Sequence, residues 1–157
     1  MNDQSRGNSR SKIKMKTRRN WLVVPTALAA NLILTTAALA DAPVVKIAPN
    51  FQPDPIVVQG TSGGAKNSNC GNISGTPSQV IQVTQPLPYL QLQVKAEGQP
   101  TLLIEGPGGR FCVLADQFSG GSAQISGFWQ PGRYSLYIGE RSQARHPYTL
   151  SISHTKK

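Results

Sequence analysis

Two stretches near the C-terminal end of the chain alternate apolar and polar residues with a period of two. In residues 133–139 and again in 147–153, every second residue is a tyrosine, leucine or isoleucine, and most residues between them are polar. A period of two places the apolar row on one face of an extended strand, whereas a helix would scatter it around its axis. The pattern therefore predicts antiparallel strands with one buried face and one face toward water.

Similar short apolar runs continue back to residue 56, separated by turns rich in Gly and Pro, such as Gly106-Pro107-Gly108-Gly109. The other runs cover residues 56–59, 79–84, 89–96, 101–105, 110–115 and 123–128. About eight strands at intervals of roughly ten residues, without a helical pattern after residue 40, predict an all-β fold, a single antiparallel β-sandwich over 56–157. Residues 60–75 are predicted to form a loop, and the proline-rich residues 41–55 a linker or an edge segment.

The first forty residues have the layout of an export signal. Residues 1–20 hold seven of the sixteen Lys and Arg residues, residues 21–40 are apolar and uncharged, and the run ends at Ala38-Leu39-Ala40. This layout predicts cleavage after Ala40 and a periplasmic or extracellular location. The alternative is an uncleaved membrane anchor, because about 20 apolar residues are enough to span a bilayer. Arg18-Arg19 leaves the export route open between general secretion and the twin-arginine route.

The positive charge belongs mostly to this N-terminal segment. The formal net charge of +9 divides into +6 for residues 1–40 and +3 for 41–157. The nine basic residues after the signal are scattered, which argues against nucleic-acid binding. We expect no membrane contact after cleavage, and the mild positive charge is a weak indication of anionic polysaccharide.

The chain has two cysteines, Cys70 and Cys112, both after the predicted cleavage site. In an exported chain an isolated pair forms one disulfide most simply. A metal site would need more ligands than two distant thiols and two late histidines provide. The sequence predicts a Cys70–Cys112 disulfide.

Two motifs carry a resemblance to a known family. The run PGRYSLYI at 131–138 combines a Pro-Gly turn with a tyrosine-bearing strand, and YTLSI at 148–152 has the pattern of a last strand. With the preceding Gly-Pro-x-Gly turn and cysteine-bearing strand, residues 79–153 resemble the bacterial pre-peptidase C-terminal (PPC) domain, in the style of small secreted cyanobacterial versions. The resemblance implies a jelly-roll-like β-sandwich that acts as a non-catalytic accessory module, similar to collagen-binding domains.

The chain departs from the family pattern at two points. It carries no protease domain before the module, so we do not expect it to assist an enzyme within the same chain. Some members of the family bind calcium, but the loop at 115–122 has Asp116 as its only acid. A hard cation takes six to eight oxygen ligands, so Asp116 is only a weak calcium candidate. We expect no metal and no cofactor.

One segment imitates a catalytic motif. Gly60-Thr61-Ser62-Gly63-Gly64 fits the G-x-S-x-G pattern of a serine nucleophile, and the order Ser62, Asp116, His146 is permissible for a hydrolase. That motif needs a strand-to-helix turn on a large α/β sheet, which a short chain without helices cannot build. We predict that the protein is not an enzyme, with a small hydrolase that uses Ser62 as a remote alternative. His146 and His154 are predicted to be an exposed turn residue and an exposed tail residue.

Aromatic residues provide the candidate ligand surface. Strand parity places Tyr137 outward beside Arg133, and Thr149 and Ser151 are expected to be their neighbours on the adjacent strand of a hairpin. Trp129, just before the turn that begins this hairpin, would complete the surface. Exposed Tyr and Trp beside Arg suit a sugar ring, a peptide or a protein surface. In the alternative interpretation, Phe128 and Trp129 close the end of the sandwich and Tyr137 is an ordinary surface residue.

The sequence therefore predicts an exported binding or adhesion module. Its ligand would be an envelope or extracellular polysaccharide or protein. The alternative function is a structural or inhibitory partner of another exported protein, to which the chain would add a strand or dock.

Overall fold

The computed structural model describes residues 42–156, which form eleven strands and no helix. In chain order the strands are β1 (Val44–Ile47), β2 (Ile56–Thr61), β3 (Lys66–Ser68), β4 (Gly71–Ile73), β5 (Gln79–Val83), β6 (Leu87–Ala96), β7 (Pro100–Gly106), β8 (Gly109–Leu114), β9 (Ala123–Trp129), β10 (Gly132–Glu140) and β11 (Pro147–Ser153). The part of the chain that is described contains no helix of the length and apolarity that crossing a membrane requires. The predicted export signal lies outside the described residues.

The strands form two sheets. Sheet A has seven strands with β10 at its centre: β5 and then β1 lie on one side, and β7 and then β8 on the other. The short β4–β3 hairpin extends sheet A from the far end of β10, where Asn72 pairs with Glu140. Sheet B has four strands in the order β2-β11-β6-β9. The predicted all-β sandwich is confirmed.

Two parts of the sheet pattern differ from the sequence prediction. Residues 60–75, predicted to be a loop, contain β3 and β4 as well as the end of β2. Strand β1 pairs with β5 in parallel, with Val44 opposite Val80, so the sandwich is not purely antiparallel. Strands β1, β3 and β4 have only three or four residues each, too few to show a full period of alternation, which explains why the pattern did not assign them as strands.

The main core lies between the two sheets and is built from the alternating rows. Leu136 and Ile138 of β10 face Leu150 and Ile152 of β11 within one apolar cluster, and all four side chains are fully buried. Burying each such side chain stabilises the fold by about 2 kcal/mol. The predicted inward rows of these two strands are therefore the buried ones.

A second, smaller cluster covers the outer face of sheet A. It contains Cys70, Ile73 and Leu103, with Tyr137 packed against it. The Cys70–Cys112 disulfide joins the turn between β3 and β4 to β8, with the two Cα atoms 5.6 Å apart. Thr101 donates a hydrogen bond from its hydroxyl to the carbonyl oxygen of Cys70 at 2.6 Å. The β3–β4 hairpin is thus held to the outside of sheet A at two points, and the predicted disulfide is present.

Candidate functional site

Strands β8 and β9 form the edges of their sheets on the same side of the sandwich, and an apolar cleft of about 410 Å³ opens beside them. Within the described chain, β8 pairs with β7 alone and β9 with β6 alone, so each has one free edge. We call this space the β8–β9 cleft. The apolar side chains of its lining are Ile104, Phe111, Ile125, Phe128, Trp129 and Tyr134, and Gly108 and Gly127 also line it.

The inner wall of the cleft is a pair of aromatic rings. Trp129 and Tyr134 meet edge to face with their centroids 4.7 Å apart, and both side chains are buried. The Tyr134 hydroxyl donates a hydrogen bond to the carbonyl oxygen of Gln130 at 2.9 Å. Burial raises the pKa of Tyr134, so the phenol remains a neutral donor at physiological pH. The wall is therefore rigid and apolar.

The rim of the cleft exposes two phenylalanines. Phe111 pairs with Ile104 and shares its inward face, yet it is 46% exposed because β9 does not cover the end of β8. Phe128 on β9 is 67% exposed. At Gly127, two residues before Trp129 on β9, a Cβ atom would meet nothing within 4 Å, so the inward row of β9 has a gap at that position. The gap leaves room for an apolar group from outside.

The cleft has little polarity. None of the described residues that line it is charged, and Ser126 and Gln130 add the polar side chains at its rim. Arg110, next to Phe111, forms an ion pair with Glu105 at 3.2 Å, which offsets its charge. Chemically, the cleft suits an aliphatic or aromatic group better than a charged one.

The residues of the predicted ligand surface lie on two different sheets and do not form one continuous surface. Arg133 and Tyr137 project from the outer face of sheet A, whereas Thr149 and Ser151 lie on β11 in sheet B. The prediction that β10 and β11 are neighbours is wrong, because the chain crosses from one sheet to the other between them. The strands beside β10 are β5 and β7, so Tyr137 pairs with Leu103.

Of the two aromatic residues at the end of β9, Trp129 is buried and Phe128 is exposed. Trp129 is only 7% exposed, so its predicted exposure is wrong and the alternative, in which it closes the core, is right. Phe128 does the opposite and points into solvent. No sequence pattern indicated Phe111, Ile125 or Gly127, because their place in the cleft depends on β8 and β9 being edge strands.

Tyr137 is partly buried rather than freely exposed. Burial, followed by the charge of Glu105 and a hydrogen bond with it, raises the pKa of Tyr137, while Arg110 acts in the opposite direction. Its ring packs against the small cluster of Cys70, Ile73 and Leu103 on the outer face of sheet A. The contacts of Tyr137 are those of a structural residue.

The three residues of the hydrolase alternative have other roles. Ser62 is fully buried, and its hydroxyl donates to the carbonyl oxygen of His146 at 3.1 Å and accepts from the amide of His146 at 3.2 Å. Among residues 42–156, no hydrogen bond joins this hydroxyl to an imidazole. Asp116 accepts a hydrogen bond from the amide of Ser119 at 2.7 Å, which closes a turn in the β8–β9 connection. Ser62 is thus a buried link between β2 and the segment before β11.

Asp116, the calcium candidate, also has both carboxylate oxygens engaged in hydrogen bonds with Ser119. The second carboxylate oxygen of Asp116 accepts from the hydroxyl of Ser119 at 3.3 Å. Within the described residues, no group of three or more His, Cys, Asp or Glu side chains is arranged to hold a metal ion.

The two histidines are less exposed than predicted. The imidazole of His154 packs edge-on against Phe51 at 4.8 Å, and its Nε2 atom lies 3.3 Å from Oδ2 of Asp54. His146 lies with Nδ1 3.9 Å from Glu97. About a quarter of each side chain is exposed, 24% and 26%. The prediction of exposed positions is wrong because the segment before β2 folds against His154, and because His146 packs beside Glu97 and Gly98.

No protein-family model matches the chain. A cyanobacterial protein described as uncharacterized, from Synechococcus elongatus, is 41% identical over 122 residues, which cover 74% of this chain and 86% of the relative.

Three solved structures are similar to the chain over most of the sandwich. The pre-peptidase C-terminal domain of collagenase from Bacillus anthracis has a TM-score of 0.46 at 15% identity and covers 73% of this chain and 98% of its own. Periplasmic inhibitors of g-type lysozyme from Aeromonas hydrophila and Salmonella Typhimurium have TM-scores of 0.39 and 0.40 at 15% and 13% identity. They cover 73% and 70% of this chain and 98% and 96% of their own. The first is a PPC domain, the family that the sequence resembles. At TM-scores below 0.5, none of the three assigns a ligand to this chain.

Proposed function

The chain belongs to the same protein family as the Synechococcus elongatus relative, and we propose that it is an exported, non-catalytic binding module that holds an apolar segment of another exported protein in the β8–β9 cleft. The observation that carries this proposal is the pair of exposed phenylalanines, Phe111 and Phe128, at the rim of an uncharged cleft. Large apolar side chains grouped on a surface mark binding sites more often than scattered ones do.

The cleft has the size of a ligand site. Its volume of about 410 Å³ lies within the usual range for pockets that enclose a small molecule or a few side chains. Its inner walls are formed by Ile104 of β7, Trp129 of β9 and Tyr134 of β10. All three side chains are buried, so the walls are already in place before a ligand arrives. A preformed apolar cavity loses little entropy on binding.

The chemistry of the lining favours a protein over a polysaccharide. Sugars need several polar partners for their hydroxyl groups, and Phe111, Phe128 and Ile125 have none. The Tyr134 hydroxyl is occupied by Gln130. An aliphatic or aromatic side chain of a protein would remove this surface from water without leaving polar groups unpaired.

The free edges of β8 and β9 add a second mode of contact. An extended segment beside either strand would pair with the exposed backbone groups while its side chains enter the cleft. Protein partners of this kind bind through main-chain hydrogen bonds and gain specificity from pockets for alternate side chains.

Two observations support export and the absence of catalysis. The Cys70–Cys112 disulfide fits an oxidising compartment, which agrees with the signal-like residues 1–40. Ser62, the nucleophile of the hydrolase alternative, is buried. Its hydroxyl donates a hydrogen bond to the backbone carbonyl of His146 and accepts one from the amide of the same residue.

Site-specific crosslinking tests the proposal. A photoreactive benzoylphenylalanine would replace Phe128 at the cleft rim or, as the matched control, Phe118, which is fully exposed in the β8–β9 connection. Irradiation with a cell-envelope extract and mass spectrometry would identify the adducts. We expect a discrete protein adduct from position 128 that is absent from position 118. Equal adducts from both positions, or a glycan adduct alone, would contradict the proposal.

A second variant blocks the cleft without removing a residue from it. A Cβ atom at Gly108 would lie 3.6 Å from the Phe111 ring and 3.7 Å from the Gln130 amide nitrogen, which is ordinary contact. Gly108→Leu therefore places a side chain at the mouth of the cleft, and its Cβ atom meets no atom closer than ordinary contact. We expect it to abolish the adduct at position 128. Gly75→Leu, at a position with open space around it, is the control and leaves the adduct unchanged.

A further inference from the structure

A second pocket, at the opposite edge of sheet B from the cleft, differs from it in chemistry. It has a volume of about 380 Å³ and lies between β2 and the segment 74–78. We call it the β2 pocket. Its polar lining consists of Gln59, Thr61, Ser74, Thr76, Ser78, Arg145 and Tyr148. We propose that the β2 pocket binds an acidic sugar, with Arg145 contacting the carboxylate and the surrounding hydroxyls contacting the sugar ring substituents.

The charge of the pocket comes from one arginine. Arg145 is exposed, and it forms no ion pair with any carboxylate of residues 42–156. No Asp or Glu of the described chain lines the pocket. The nearby Glu140 carboxylate is already bonded to the amides of Gln99 and Ser142. A guanidinium without a partner beside neutral hydroxyls complements an anion, and its planar fork matches a carboxylate in particular.

The fold positions this arginine over the pocket. Gly63 has a φ of 77° and no side chain, and the Cγ atom of Arg145 lies 3.5 Å from the place that a Cβ atom would take there. The amide of Gly63 donates to the carbonyl oxygen of Ile138 at 3.1 Å, which ties β2 to β10. The arginine stem therefore rests on a fixed turn at the end of β2.

The hydroxyls of the pocket are oriented by local hydrogen bonds that leave some of their donor and acceptor positions free. Ser74 accepts from the amide of Thr76 at 3.3 Å, and Ser78 accepts from the amide of Ile138 at 3.0 Å. A hydroxyl offers one donor and two acceptor positions, so each of these retains positions for a ligand. Several oriented hydroxyls together match the hydroxyl and amide groups of a sugar better than an apolar side chain.

The inference does not depend on the β8–β9 cleft. The two sites share no lining residue and lie at opposite edges of sheet B. A protein with both sites would hold a protein partner on one side and an acidic glycan on the other.

A titration with matched ligands tests the proposal on the protein purified after export. The probes are N-acetylmuramate, which has a carboxylate on the sugar, N-acetylglucosamine, which lacks it, and lactate, which has a carboxylate without a sugar. We expect N-acetylmuramate to shift the backbone amide signals of residues 60–63, 74–76 and 78 and to bind at least tenfold more tightly than either control. Equal binding of N-acetylglucosamine shows that the charge is not recognised, and equal binding of lactate shows that the sugar is not. Either result overturns the proposal, as does the absence of shifts at these residues with N-acetylmuramate at tens of millimolar.

Two arginine variants test whether Arg145 provides the positive charge that contacts the carboxylate of the ligand. Arg145→Gln is expected to weaken N-acetylmuramate binding at least tenfold, whereas Arg141→Gln, at an exposed arginine outside the pocket, leaves it unchanged. Equal losses in both variants would reduce the effect to general surface charge and contradict the role of Arg145. Gly108→Leu leaves this titration unchanged, so the failure of one proposal is distinguishable from the failure of the other.

Discussion

The hydroxyl of Tyr134 donates a hydrogen bond to the carbonyl oxygen of Gln130 at 2.9 Å, across the turn that takes the chain from sheet B to sheet A. The same ring packs edge-on against Trp129. It also lies against Gly106, where a Cβ atom would come within 2.2 Å of it. The end of β9, the start of β10 and the end of β7 are thus joined at one tyrosine, which forms the inner wall of the β8–β9 cleft.

The first prediction removes this hydrogen bond alone. Tyr134→Phe keeps the ring and its packing on Trp129, so the free energy of unfolding should fall by about 1 kcal/mol. Urea denaturation of the oxidised protein measures the change. Tyr89→Phe, at a partly exposed position on β6, serves as the control and should shift the midpoint less. Equal midpoints for the wild type and Tyr134→Phe would show that the bond does not stabilise the turn.

The second prediction separates core from surface at the end of β9. Trp129→Ala removes a side chain that is 7% exposed, so the free energy of unfolding should fall by about 3–5 kcal/mol. Phe128→Ala, one residue earlier and 67% exposed, should change it by less than about 0.5 kcal/mol. Thermal denaturation of both variants provides the comparison. A stable Trp129→Ala protein would contradict the place of Trp129 in the core.

The third prediction concerns the disulfide. Cys70 and Cys112 are 42 residues apart in sequence, and closing a loop of this length stabilises a fold by about 4 kcal/mol in the chain-entropy account. The double variant Cys70→Ala/Cys112→Ala should lose about that much, and a reducing agent should destabilise the wild type but not the variant. A variant as stable as the oxidised wild type would show that the hairpin β3–β4 is held by Thr101 and the apolar contacts alone.

The fourth prediction is a dependence of stability on acid pH through Asp54. Burial raises the pKa of the Asp54 carboxyl, but hydrogen bonds from Thr155 and Ser153 and the nearby His154 together lower it below the usual value of 3.8. A carboxyl whose pKa is lowered in the folded state adds stability above its unfolded pKa, and the contribution disappears as the pH falls through the folded pKa. Asp54 should therefore stabilise the fold at neutral pH and lose this effect below about pH 4.

Asp54→Asn tests that dependence. The variant should be less stable than the wild type at pH 7, and the difference should shrink as the pH falls toward 2. Asp116→Asn, whose carboxylate is exposed in the β8–β9 connection, is the matched control. A constant difference between Asp54→Asn and the wild type at all pH values would exclude the titration of Asp54 as its cause.

The strands that the sequence predicted most accurately are those with a full alternating row. Residues 133–139 and 147–153 coincide with β10 and β11 within one residue at each end. Strands β3 and β4 were missed because three residues are too few to show a period. Strand β1 falls in the segment that was predicted as a linker or an edge segment, and it lies at the edge of sheet A. The disulfide was predictable for a different reason, since two cysteines allow only one pairing.

The candidate site was far less predictable. Arg133, Tyr137, Thr149 and Ser151 were grouped on the assumption that consecutive strands are neighbours. That assumption holds for β7 and β8 but not for β10 and β11, which belong to different sheets. Phe111 had no distinguishing local pattern, because its exposure arises only from the absence of a covering strand.

The sequence alone determined which of the longer segments are extended and which side of each long strand is buried. These properties depend on the order of apolar and polar residues within a few positions, and the hydrophobic effect acts on that order wherever the strand is placed. Only the tertiary structure decided which strands pair, which become edges, and therefore where the β8–β9 cleft and the β2 pocket lie. Pairing depends on packing between segments far apart in the chain, such as Tyr134 against Gly106, and no local pattern records that free energy.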